Sequence, residues 1–304
     1  MLRSGWLSAC AVLAVAIVAA AQSEKPPLVQ QIQANGADLS YVDQGKGAPV
    51  VFVHGAVGDL RYWEPQRSAF TRQFRFISYS YRYHGTAPWP DDGKLYSAEQ
   101  HAADLTAFIS ELKAGPVHLV GLSYGGTLAA MVAIKDPQLV RTLTLAEPGI
   151  FSLLADTPEG KQALDEWTKG AAPMIEAMKA GDNVKATRYL SALVTGGPPD
   201  TFDKFPPAFR RVLLDNARTM PLLFAAPPTI VTCEMLSGIR TPTLIVRGER
   251  TTRLFVTIND AVGRCIAGSK LVVIPKASHT MSYDNPAEFN RVVLEFVSGK
   301  RPGN

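Results

Sequence analysis

The chain has 304 residues, 46% of them hydrophobic and 19% charged, with 24 glycines and 22 prolines. That composition belongs to a globular protein with enough chain for a sizeable core, and it excludes disordered, collagen-like and coiled-coil classes. Thirty-one Lys and Arg against 27 Asp and Glu leave a net charge of +4 without any basic run, which argues against nucleic acid as a partner.

Arg3 precedes an uncharged apolar run over residues 6–20, which ends in Ala19-Ala20-Ala21. Residues 1–21 therefore read as a secretory signal peptide, with a retained membrane anchor as the alternative, and the protein is expected to be periplasmic or secreted. Leu7-Ser8-Ala9-Cys10 resembles a lipoprotein box, but it precedes most of the apolar run instead of following it. No later stretch is long enough to span a bilayer, so no stable membrane span is expected after signal removal. Cys10 leaves with the signal. Cys233 and Cys265 remain, as one disulfide or as two buried thiols.

Residues 31–36 and 38–43 alternate about an Asn-Gly turn, as a hairpin does. Residues 49–54 are a continuous apolar run ending in His54-Gly55, the pattern of a buried parallel strand. A helix over 60–73, a strand over 74–79, a helix over 97–113 capped by Ser97, a strand over 117–122, a helix over 125–134 and a strand over 140–146 follow. The rhythm breaks at Gly149. Residues 150–237 hold helical pieces separated by Gly196-Gly197-Pro198-Pro199, Pro206-Pro207 and Pro227-Pro228. It resumes with a strand over 243–247, a helix over 257–266, a strand over 270–274 and a helix over 286–297. Strands separated by helices imply right-handed crossovers and a mostly parallel, doubly wound α/β sheet. The expected division is a core of residues 22–149 and 238–304 with a helical cap, residues 150–237, inserted between two strands.

The most informative segment is Gly121-Leu122-Ser123-Tyr124-Gly125, a Gly-x-Ser-x-Gly motif between a predicted strand and a predicted helix. That context is what the motif requires, because a sharp turn lifts the serine hydroxyl out of the sheet and sets a helix N-terminus beneath it. With His54-Gly55 after the third strand, His84-Gly85 after the fourth and Ser278-His279 after the last, the chain from about residue 30 to 298 resembles the α/β-hydrolase superfamily, as a serine hydrolase with a cap. One local departure is Ser80-Tyr81-Arg82-Tyr83-His84-Gly85, where that family has Asp-x-Arg-Gly-His-Gly.

A serine hydroxyl needs an imidazole to take its proton. Of the five histidines, His279 matches the family's catalytic position. His84 reads as structural, and His101 and His118 as core or surface residues. The resemblance places oxyanion donors at the backbone N–H of Ala56 and Tyr124. The acid stays open. Many relatives carry Gly-x-x-Asp after the strand that follows the cap, but here the stretch is Gly248-Glu249-Arg250-Thr251. Glu147, at the end of the sixth strand as in the haloalkane-dehalogenase branch, is the preferred reading; Glu249, or neither, are the alternatives. Serine at the elbow argues against dehalogenase and epoxide chemistry.

These readings converge on acyl transfer to Ser123 from a small or medium apolar carboxylic ester, with no metal or organic cofactor and an undetermined oligomeric state. Perhydrolase-like or lyase chemistry on the same residues, and a non-catalytic ligand-binding protein of the same fold, are the competing hypotheses.

Overall fold

The computed structural model describes residues 26–155 and 157–299; the expected signal peptide, residues 1–21, lies outside them. Eight strands form one sheet in the order β1-β2-β4-β3-β5-β6-β7-β8. They are β1 Val29–Ala34, β2 Ala37–Gly45, β3 Pro49–Val53, β4 Arg75–Tyr79, β5 Val117–Leu122, β6 Val140–Ala146, β7 Thr243–Gly248 and β8 Lys270–Ile274. β2 pairs antiparallel with both β1 and β4, and every later pairing is parallel.

The period of two along a strand explains why both faces are covered. Val51 and Val53 of β3 pack with Leu119, Leu143 and Ile245 into one apolar cluster beneath the helices Ala98–Glu111, Tyr124–Lys135 and Arg253–Cys265. Val50 and Phe52 point the other way, into a cluster with Val120, Leu244 and Val246 that the helix Pro286–Val297 covers. A strand buried on both sides reads as an unbroken apolar run, as residues 49–53 do.

Two helices differ from their sequence expectation. The stretch 60–73 divides into a single 3-10 turn, Leu60–Trp63, and a short helix, Glu64–Phe70. Pro65 lies in the first turn of the second piece, where a missing N–H costs nothing. The helix expected over 257–266 begins earlier, at Arg253, directly after Thr252, whose backbone is extended.

Between β6 and β7 the described residues contain helices and no strand. Val57, from the loop after β3, joins Met174, Ala177, Ala186 and Met220 in a small apolar cluster that seats the insertion on the sheet. The neck of the insertion is closed: Ser152 Oγ donates to Val231 O at 2.8 Å and accepts from Val231 N at 3.1 Å. Just beyond it Cys233 is disulfide-bonded to Cys265, 32 residues on. Closing a loop of that size stabilises by roughly 3–4 kcal/mol in the chain-entropy account. Cys233→Ser is expected to lower the free energy of unfolding by about that amount in urea titrations; an unchanged midpoint would show that the bridge constrains nothing. Among the described residues no helix is long and apolar enough to cross a membrane.

Candidate active site

Ser123 stands between β5 and the helix Tyr124–Lys135 with φ 54° and ψ −122°. A non-glycine residue in the left-handed half of backbone space costs of order 1–3 kcal/mol, so its surroundings must over-determine it. They do. A Cβ on Gly121 would lie 2.3 Å from Gly125 O, and one on Gly125 would lie 2.3 Å from His54 O. Neither position can carry a side chain at that turn. Ser123 N donates to Ala146 O at 3.0 Å, and Ser123 O accepts from Thr127 N at 3.1 Å and Gly149 N at 2.9 Å.

Glu147 follows β6 directly and also has positive φ, 42°. Its N–H donates to Val246 O at 3.0 Å, tying it to β7. The carboxylate is fully buried, at 0% exposure, and is surrounded by donors. Oε1 accepts from Gly248 N at 2.8 Å, while Oε2 accepts from Thr251 Oγ1 at 2.9 Å and from His279 Nδ1 at 2.6 Å. The hydrogen bond at Nδ1 fixes the tautomer and leaves Nε2 as a proton acceptor.

The loop carrying His279 is fixed from several sides. Ser278 donates to Asp284 Oδ2 from both N and Oγ, at 2.8 and 2.6 Å. Gly248 brings β7 so close that a Cβ there would lie 2.4 Å from Ser278 O. The Phe255 ring stacks on the imidazole with centroids 3.9 Å apart.

Ser123, His279, Ala56 and Tyr124 all line one cavity of about 410 Å³. Tyr124 is the first residue of its helix, so its N–H has no intrahelical partner. Phe151, Trp167, Leu190, Phe205, Phe209 and Phe255 contribute to the walls, and among the described residues no Asp, Glu, Lys or Arg lines it. The hydroxyls of Thr187 and Ser191 are spent on the helix, donating to Asn183 O and Thr187 O at 2.9 Å each. The described walls are mostly apolar and carry no formal charge.

The structure thus brings Glu147 to His279 and sets Ser123 and His279 in the same cavity. Glu249 is elsewhere: its Oε2 accepts from Lys276 N at 2.7 Å, at an exposed turn. Thr251, Phe255 and Asp284 were not singled out from sequence as partners of these groups. Thr251 did carry a signal, since it stands where many relatives have the acid. Of the apolar residues in the insertion, Leu190, Phe205, Phe209, Leu223 and Phe224 reach the cavity, while Met174, Phe202 and Met220 are packed inside.

His118 is a core residue bonded to Thr142 Oγ1 at 2.8 Å. His54 is buried within the loop 54–58, His84 is buried against it with Nε2 2.9 Å from Ala56 O, and His101 Nδ1 meets Tyr124 Oη at 2.9 Å. Burial pulls His84 down to about 4, and burial together with His84 pulls His54 down to about 3. Unfolded histidine titrates near 6.5, so between those values the unfolded chain binds more protons than the folded one. Their contribution to stability is complete above pH ~6.5 and is lost as pH falls through the folded values, on the order of 3 kcal/mol for His84 and 5 kcal/mol for His54. Thermal midpoints are therefore expected to be flat above pH ~6.5 and to fall steadily toward pH 4; a midpoint insensitive to pH over that interval would contradict neutral burial.

Among the described residues no group of three or more His, Cys, Asp or Glu side chains could hold a metal ion.

A family profile described as "Alpha/beta hydrolase family" matches residues 50–292. The chain is 25% identical to the 2-(acetamidomethylene)succinate hydrolase of Mesorhizobium japonicum over 267 residues, covering 85% of this chain and 91% of that protein. It is 24% identical to the 2-hydroxy-6-oxo-2,4-heptadienoate hydrolase of Pseudomonas putida over 282 residues, 89% of this chain and 96% of that one. Among solved structures it is similar to a carboxylesterase from Bacillus subtilis, with a TM-score of 0.72 at 17% identity over 91% of this chain and 93% of that one.

Proposed function

The chain belongs to the alpha/beta hydrolase family, and from that premise we propose that it is a serine hydrolase cleaving a small or medium, uncharged, apolar carboxylic ester. The observation that carries the reading is the buried Glu147–His279 hydrogen bond at 2.6 Å beside an uncharged cavity that Ser123 also lines.

In this reading Ser123 Oγ attacks the ester carbonyl while His279 Nε2 takes its proton. Buried Glu147 holds the imidazole and stabilises the imidazolium. The carbonyl oxygen gathers negative charge between the Ala56 and Tyr124 N–H groups, and the helix N-terminus adds its positive end. His279 then returns the proton to the departing alcohol. Water, deprotonated by the same nitrogen, releases the acid from the acyl-enzyme.

The lack of charge among the described wall residues supports an uncharged substrate. A carboxylate taken from water into an apolar cavity without a partner costs far more than the contacts there return. The two relatives above are named for carboxylate substrates, and among the described residues this cavity offers no Lys or Arg to receive one. The apolar leader of residues 6–20 and the Cys233–Cys265 disulfide both support an exported protein, periplasmic or secreted.

The test is a fluorophosphonate probe with the adduct mapped by peptide mass spectrometry, followed by a panel of p-nitrophenyl esters. Stoichiometric labelling at Ser123, with acetyl to octanoyl esters hydrolysed well and a succinyl half-ester poorly, is the expected outcome. Folded protein that takes no label would sink the acyl-transfer reading, and good turnover of the succinyl ester would sink the substrate class.

A further inference from the structure

The Ala56 N–H proposed to hold the oxyanion belongs to the peptide unit whose carbonyl is that of Gly55. In a trans peptide the two point in opposite directions, so whatever holds Gly55 O aims the Ala56 N–H. Gly55 O is held by three donors. Tyr81 Oη donates to it at 2.8 Å, His54 Nδ1 lies 2.8 Å away, and Gly58 N donates at 3.2 Å. The Tyr81 ring is stacked on His54 with centroids 3.9 Å apart and planes 13° from parallel, and it is 0% exposed. The next carbonyl, Ala56 O, lies 2.9 Å from His84 Nε2.

We infer that Tyr81 is a positioning residue for the oxyanion hole: its hydroxyl clamps the Gly55–Ala56 peptide plane from behind and polarises it, so that the Ala56 N–H meets the developing oxyanion already aimed and strengthened as a donor. The inference rests on the acyl-transfer reading and goes beyond it. Two physical effects are combined. A hydrogen bond to an amide oxygen draws electron density away from the N–H of the same amide, a cooperative gain of about 10–30% per bond. A fixed plane spares the site any reorganisation as charge develops, which is where oxyanion holes gain most of their effect. Burial raises the Tyr81 hydroxyl well above its ordinary titration range, so it stays a donor across all working pH. Among the described residues the Tyr81 hydroxyl has this one hydrogen bond, and Tyr81 itself does not line the cavity; it reaches the site only through Gly55.

Tyr81→Phe removes one oxygen and keeps the ring stack and the two other donors. Removing an oxyanion donor outright costs about 100- to 1000-fold in turnover, so weakening its support is expected to cost about tenfold. The loss should fall on kcat, with KM within about twofold. A trifluoromethyl ketone, whose hemiketal with Ser123 places an oxyanion in the hole, should bind more weakly by the same factor as kcat/KM falls. A plain alkanol that fills the cavity without forming an oxyanion should bind as before. Site-specific 3-fluorotyrosine at position 81, a stronger donor in the same shape, should leave kcat at or above the wild-type value, and it settles the matter should the Phe variant not fold. A kcat changed less than twofold in Tyr81→Phe, or equal weakening of ketone and alkanol, overturns the inference while wild-type turnover keeps the acyl-transfer reading. Wild-type protein that forms no acyl-enzyme overturns both.

Discussion

Ser123→Ala is expected to lower kcat by about 10⁵-fold or more while leaving a folded protein. The expectation follows from what remains when the hydroxyl goes. His279 and Glu147 keep their hydrogen bond and the oxyanion donors stay aimed, so only binding and electrostatic help to a water attack survive, worth about 10³–10⁴ over solution. Stability should barely change, because alanine inherits the same φ of 54° and the same backbone bonds. His279→Ala should cost a similar factor, and the double variant little more, since residues that act as one unit lose their effect together. Burst kinetics with a p-nitrophenyl ester and a parallel thermal melt read both quantities. A Ser123→Ala protein that retains even a hundredth of wild-type turnover would place the nucleophile elsewhere.

Glu147→Gln is expected to lower kcat by about 10⁴-fold, the effect known for a triad acid converted to its amide. The local geometry makes the argument sharper. Gly248 N–H and the Thr251 hydroxyl donate to the two carboxylate oxygens, and His279 Nδ1–H donates to the second as well. An amide has one oxygen for three donors. Whichever way it turns, its NH₂ faces one of them. When it faces His279, the ring must present a bare Nδ1 and carry its proton on Nε2, the wrong tautomer for accepting a proton from Ser123. Glu249→Gln serves as the companion variant, and activity within about twofold of wild type is expected, since surface substitutions away from such features are usually mild. If the two variants exchanged phenotypes, the acid would be Glu249.

Strand and elbow were legible in the sequence because their determinants are local. The apolar run at residues 49–53 and the glycines at 121 and 125 answer to burial and to close backbone approach within a few residues. The choice between Glu147 and Glu249 was not legible from spacing. Both leave strands at the same edge of the sheet, and what separates them is the direction the chain takes afterwards. Glu147 turns inward through a positive φ, while Glu249 is drawn to the Lys276 amide, a partner from beyond β8. Thr251 showed only that the usual acid was missing; that its hydroxyl would bond the Glu147 carboxylate depends on β6 and β7 pairing across the whole insertion. Phe255 and Tyr81 were invisible for the same reason. An aromatic residue in a helix or a loop does not announce which imidazole it will stack upon, and the cavity walls come from a segment whose irregular helices carry no single period.

The closed neck of the insertion has a corollary for design. Because Ser152 and Val231 hold its two ends together, the sheet meets the intervening segment as a loop already shut, whatever that loop contains. Lengthening such a loop is thermodynamically mild, about 0.6 kcal/mol for each doubling. Ser123 and Glu147 are both laid down before the neck and His279 after it. In designed chimaeras joined at these two residues the segment can therefore be replaced as an interchangeable cartridge, and on the proposed reading this would reset which molecules are admitted while Ser123, Glu147 and His279 stay in place.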